Sequence, residues 1–215
     1  MMIELIRSVL TLYAERGDWF LGLLRDHILL AGRAILLSGT IGLLLGVLVA
    51  QFQRLAPAVM GVCSVLYTIP AISLLGILIP FTGIGNETAV IALTIYGVMP
   101  MVRNTYTGLT TLDPDILEAA AGMGSTDVQT LLRVKLPMAA GVILAGVRNM
   151  VVMTVSVAAI ASFVGAGGLG VSIYRGITMY NPPMTAAGSI LIAALAVLLD
   201  FILGRVEKHF KKYVS

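Results

Sequence analysis

The chain has 215 residues, 58% of them hydrophobic and 12% charged, and its mean hydropathy is +0.98. That composition excludes an ordinary soluble domain and predicts a polytopic membrane protein. A net charge of +3 with a pI near 9.2 does not argue for nucleic acid, because the bases gather beside apolar stretches as cytoplasmic loops require.

Residues 1–26 mix apolar side chains with scattered charges and cannot make a clean span of about 20 residues. They are expected to form an interfacial helix, with Ile3, Ile6, Leu10 and Tyr13 on one face and Trp19 and Phe20 at a headgroup boundary. Glu4, Glu15, Asp18 and Asp26 interrupt this segment, and no order of basic, apolar and small residues predicts a cleaved signal peptide. Five spans follow, at about 28–50, 57–81, 88–108, 138–164 and 183–203. Pro70 falls near the middle of the second and predicts a kink or break there. Arg54, Arg103, Arg133, Lys135 and the basic tail over 208–215 place those loops and the C-terminus inside the cell, so five spans put the N-terminus outside. Arg7, Arg16 and Arg25 oppose that orientation, although the four nearby acids offset them.

The stretch 113–137, DPDILEAAAGMGSTDVQTLLRVKLP, is the most polar internal segment. Asp113 is placed to N-cap a helix whose first residue is Pro114, and Gly124 offers a left-handed C-terminal turn. Thr126 with Gln129 three residues on reads as a capping box for a second short helix, and Pro137 is expected to mark the boundary with the next span. A sharp helix-turn-helix between spans results.

Several constellations have a bland reading beside a functional one. Gly165, Gly167 and Gly170 match GxGxxG, but they follow a span rather than a strand, so residues 165–182 read as a tight external turn and not a nucleotide site. Arg148 is about 15 Å into the fourth span at 1.5 Å per residue and demands a partner, for which Asn149 and Asp200 are candidates. A structural polar network is preferred for it over substrate contact, because it would repel a cation. Ser64, Tyr67, Thr68 and Ser73 around Pro70, with Met153, Thr154, Ser156 and Ser162 on the fourth span, are candidate pathway residues, against helix packing as the plain alternative. Met150 and Val157 recur with Met153 and Thr154 at helical spacing, where pathway lining and core packing compete. Cys63 lies within a span, where a packing role is expected, and His27 and His209 sit at membrane borders without other ligands at metal-binding spacing. An intramembrane enzyme would need a nucleophile paired with a base, and Ser162 has no intramembrane histidine.

Glu118, Ala119, Ala120 and Gly124, followed after nine residues by Val134, Leu136 and Pro137, resemble the EAA loop of ABC import permeases of the type I fold. The segments 69–80, 93–109, 145–149 and 164–170 are similar to the osmoprotectant permeases for glycine betaine, carnitine and choline, over about residues 28–204. Val134 stands where isoleucine is commoner, and the first 26 residues carry no resemblance. The resemblance implies an all-α membrane bundle of about five transmembrane helices, with residues 27–207 as the transporter domain and 113–137 as a cytoplasmic coupling loop. It implies a multi-pass protein of the bacterial cytoplasmic membrane with no catalytic residue, cofactor or metal of its own. ATP and Mg would be bound by a separate pair of cytoplasmic ATPases, with a second permease copy or similar permease and an extracytoplasmic binding protein completing the importer. The rival readings are a permease for methionine or another amino acid, and an autonomous carrier.

Overall fold

The computed structural model describes residues 2–211, with side chains through 210; Lys212 and the rest of the expected basic tail lie outside the described residues. The described chain is helical throughout its ordered elements. α1 (Met2–Glu15) is followed after one bend by α2 (Gly17–Gln51), then α3 (Ala56–Thr68), α4 (Ala71–Thr82) and α5 (Asn86–Thr110). α6 (Pro114–Gly122) and α7 (Asp127–Thr130) form an elbow, and α8 (Leu136–Val157), α9 (Gly170–Thr178) and α10 (Pro182–Lys211) complete the chain.

α2, the continuous helical stretch from Asp127 to Val164, and α10 are each long and apolar enough to cross a membrane. α3 and α4 together make a fourth such unit, bent by 99° at Ile69 and Pro70. α5 does not meet that standard of length and hydropathy, and its surroundings explain why. It buries Thr88, Thr94, Tyr96, Gly97, Thr105 and Gly108 among its apolar residues, so its surface is matched to protein instead of hydrocarbon. α5 runs parallel to α2, with Leu30, Ala31 and Ala34 beside Ala89, Val90 and Leu93. A Cβ on Gly42 would lie 2.6 Å from Met101 Cβ, and one on Gly46 2.5 Å from Thr105 Cβ, so only glycine permits this approach. α8 is antiparallel to α5, pairing Gly146 with Asn104 and Gly108 with Ala139 and Val142. α10 returns antiparallel to α8. Three long helices and the broken span thus lie about α5, with the N-terminal end of α2 and the 83–85 turn at one end of the bundle and the elbow at the other.

Three boundaries differ from expectation. The interfacial helix stops at Glu15, and residues 17–26 are the opening turns of α2. No breaker separates them from the span, and Phe20, Leu23, His27, Leu30 and Ala34 form one buried helical stripe across the expected border. Ile3, Ile6 and Leu10 face away from the protein, while Val9 and Phe20 pack on Ala187 and the Tyr13 hydroxyl donates to the Ala187 carbonyl at 2.8 Å. Pro137 lies in the first turn of α8, at the expected boundary, but the helical path runs through it without a break. The backbone widens into a π turn over Leu131–Lys135, where the Leu136 N–H reaches Leu131 O, and this wider turn accommodates the proline without a break. Finally, 165–182 is a turn plus α9, not a turn alone. α9 ends in a tight left-handed turn at Tyr180, φ 52°, with Tyr180 N–H donating to Ile177 O and Asn181 N–H to Gly176 O.

Candidate functional site

The elbow is built from local signals alone. Asp113 Oδ1 accepts from Asp115 N–H at 3.0 Å, and Pro114 occupies the first turn of α6. Gly124 takes φ 78°, so that Ser125 N–H reaches Ala120 O and Gly124 N–H reaches Ala121 O, the paired bonds of a Schellman turn. Thr126 and Gln129 then exchange bonds in a full capping box, Thr126 N–H to Gln129 Oε1 at 3.0 Å and Gln129 N–H to Thr126 Oγ1 at 3.3 Å. Every turn of backbone is fixed, yet the elbow exposes Ile116, Met123, Val128 and Leu132, with Met123 82% accessible. Glu118 and Ala119 are exposed, whereas Ala120 is buried against its own chain, so only the first alanine is free to meet another surface. Pro137 is exposed and Leu136 half-buried at the root of α8.

On the opposite side of the elbow, the broken span sets a wall of polar side chains at membrane depth. Pro70 carries no N–H, and Ile69 is extended (ψ 128°), so α3 ends and α4 begins across the break. The Ile69 carbonyl thus freed accepts the hydroxyl of Tyr96 from α5. The Tyr67 and Tyr96 rings meet in a T shape with centroids 6.0 Å apart, and the Tyr67 hydroxyl donates to Met153 Sδ at 3.3 Å, joining the break to α8. Ser64, Tyr67, Thr68, Ser73 and Ser156 are all exposed, and Asn149 lies one face-repeat from Met153 and Ser156 on α8. The spans elsewhere expose large apolar side chains such as Leu36, Leu44, Val197, Leu198, Phe201 and Ile202, a surface suited to lipid, and the broken span itself also exposes Val62, Val65, Ile72 and Ile77. Thr154 does not join the polar wall: it is fully buried, and its Oγ1 has no hydrogen-bond partner among the described residues. Ser162 is likewise buried and bonds back to Ala159 O, and Met150 packs inward against Ser38, whose hydroxyl meets its sulfur at 3.1 Å.

Arg148 turns the other way, toward α10. Its Nε and Nη2 each donate to Asp200 at 2.7 Å, and Nη1 donates to Glu207 at 3.3 Å. Gly204 lies between the two acids on the same face, and its missing side chain leaves room for the guanidinium. Asp200 is thus the partner expected from sequence. Asn149 is not, since it faces the polar wall, and Glu207 joins as a second acid. The Arg148 side chain is a third exposed rather than sealed in the core.

Sequence reasoning missed Tyr96 and His27. Tyr96 gave no signal, because its role depends on a carbonyl that only the break sets free. His27 is not at an open border but fully buried: its Nε2 bonds Val155 O at 3.0 Å, and Gly168 packs against its ring. Its position on the α2 stripe with Leu23, Leu30 and Ala34 was the available clue. No group of three or more potential metal ligands occurs among the described residues.

The model of a protein family described as "binding-protein-dependent transport system inner membrane component" matches residues 41–212. The chain is 37% identical to a glycine betaine/carnitine/choline transport system permease of Bacillus subtilis, with 96% of this chain and 90% of the relative covered. A carnitine transport permease of Listeria monocytogenes is 36% identical, covering 93% and 92%. An osmoprotectant import permease of Salmonella typhimurium is 40% identical, covering 90% and 92%. Among solved structures, the MetNI methionine ABC transporter in an inward-facing conformation superposes with a TM-score of 0.83 at 25% identity, over 91% of this chain and 98% of that one.

Proposed function

From the premise that the chain belongs to the binding-protein-dependent transport system inner membrane components, we propose that it is the ABC-importer permease through which a quaternary ammonium osmoprotectant such as glycine betaine, carnitine or choline enters the cell. The observation that carries the substrate class is relatedness along nearly the whole chain, at 36–40%, to permeases named for those solutes. The methionine transporter shares the scaffold at 25% identity, and that lower figure makes an amino-acid cargo the weaker reading.

The elbow supplies the handle for ATP-driven work. A doubly capped, rigid segment that exposes Met123, Val128 and Leu132 is suited to seat in a groove of a cytoplasmic ATPase. Glu118, Ala119 and Gly124 form its contact side and turn, and Leu136 with Pro137 transmits its motion into α8. ATP and Mg would reside in that partner, used as a pair beneath two permease chains. Closure of the ATPases would move the elbows and, through α8, the broken span, exposing the polar wall alternately to each side. An extracytoplasmic binding protein would deliver the solute.

The test is uptake by proteoliposomes holding this chain with its ATPase and binding protein, offered labelled glycine betaine, carnitine, choline and methionine in turn. ATP-dependent uptake of one or more of the first three is expected. Uptake of methionine alone would sink the reading.

A further inference from the structure

The break in the second span leaves one aromatic ring standing on a neutral wall. Tyr67 lies in the last turn of α3, 43% exposed, and it is held at two points, by its hydroxyl on Met153 Sδ and by a T-shaped contact between its ring and that of Tyr96. Tyr96 is buried and is itself anchored to the Ile69 carbonyl. A ring fixed this way loses little rotamer freedom on meeting a solute. Beside it, Pro70 offers no N–H to the Leu66 carbonyl four residues earlier, so that dipole is also unused by the helix. Irregular backbone at membrane depth is tolerated against protein or a watery cavity, not lipid, which turns this face of α3 away from the hydrocarbon. The exposed side chains around the break, Ser64 and Thr68 on α3, Ser73 on α4 and Ser156 on α8 together with the apolar Val62, Val65 and Ile72, carry no charge, and Arg148 is turned away and engaged by Asp200.

A quaternary ammonium group has a full positive charge but no N–H to donate. Aromatic faces and carbonyl dipoles suit it, and they hold it more loosely than a carboxylate would, as a site of passage requires. We propose that Tyr67 is a contact within the membrane pathway for the quaternary ammonium group of the solute, with Tyr96 and Met153 as positioning residues. The proposal rests on the osmoprotectant reading above.

Phenylalanine carrying increasing numbers of ring fluorines at position 67 drains negative charge from the ring face while nearly preserving its shape. Uptake is measured in proteoliposomes of the full importer with saturating choline-loaded binding protein, after confirming that each variant co-purifies with the ATPase. Relative to Tyr67→Phe, the maximal rate is expected to fall stepwise with fluorination, by about five- to thirtyfold over the series, as loss of a cation–π contact predicts. If the phenylalanine parent does not assemble, a fluorinated tryptophan series at the same position gives the same readout. Equal rates along the series, or Tyr67→Leu transporting as fast as Tyr67→Phe, would overturn the assignment while leaving the osmoprotectant function standing. Failure of that function shows differently, as a wild-type importer that takes up no quaternary ammonium compound.

Discussion

Tyr180 occupies a left-handed backbone position that glycine fills at no steric cost, and it does so at the C-terminal turn of α9 with 94% of its surface exposed. Its side chain gains no packing there to compensate. Tyr180→Gly is therefore expected to raise stability by about 0.5 to 1 kcal/mol, the relief of left-handed strain less the extra freedom of glycine in the unfolded chain. A higher melting temperature in detergent would show it; an unchanged or lower one would mean that the ring has contacts in the assembled membrane form. Arg148 calls for a different experiment. Asp200→Asn and Arg148→Leu should each lower the melting temperature, because each leaves a charged group at membrane depth without its main partner. The exchange Arg148→Asp with Asp200→Arg should recover part of the loss, and failure to recover would point to Glu207 and the space at Gly204 as fixing the orientation.

Among the elements, the α6–α7 elbow was legible almost residue by residue, since its caps are short-range and each donor lies within a few positions of its acceptor. Asp113, Pro114, Gly124, Thr126 and Gln129 all do what their spacing announces. The passage from α7 into α8 was not legible. A proline after a short helix ordinarily signals a boundary, and nothing local reveals that a π turn will absorb Pro137 and keep the helix continuous. That continuity makes elbow and span one lever. Gly124→Pro should abolish the left-handed turn and uncouple ATP hydrolysis from uptake by tenfold or so, on the order expected when a positioned element is displaced. A variant that retains both solute-stimulated hydrolysis and uptake would remove the elbow from the mechanism.

At the scale of the molecule, hydropathy was enough to locate the long apolar helices and the broken span, and insufficient for whatever depended on distant contacts. α9, the burial of His27 and the extension of α2 back to Gly17 all arise where α2, α8, α9 and α10 converge, information that no local window holds. The polar wall shows the same division, since its hydroxyls were visible in sequence while their sorting into exposed Ser156 and buried Thr154 was not. The crossing pattern predicts a simple outcome for single cysteines in a Cys63→Ala background. Thr11→Cys and Met179→Cys should react with a membrane-impermeant maleimide on intact cells, and Met123→Cys should react only after permeabilisation. Labelling of position 123 on intact cells would invert the whole arrangement.

The low hydropathy of α5 also has a bearing on how the protein is made. A segment with Asn104, Arg103 and buried threonines is a poor candidate for partitioning into the bilayer by itself as it leaves the ribosome. α2, its closest partner through Gly42 and Gly46, is synthesised first and already crosses in the same direction. The nascent chain thus has a docking surface ready before its least apolar crossing emerges, and membrane insertion of α5 becomes a step of tertiary folding.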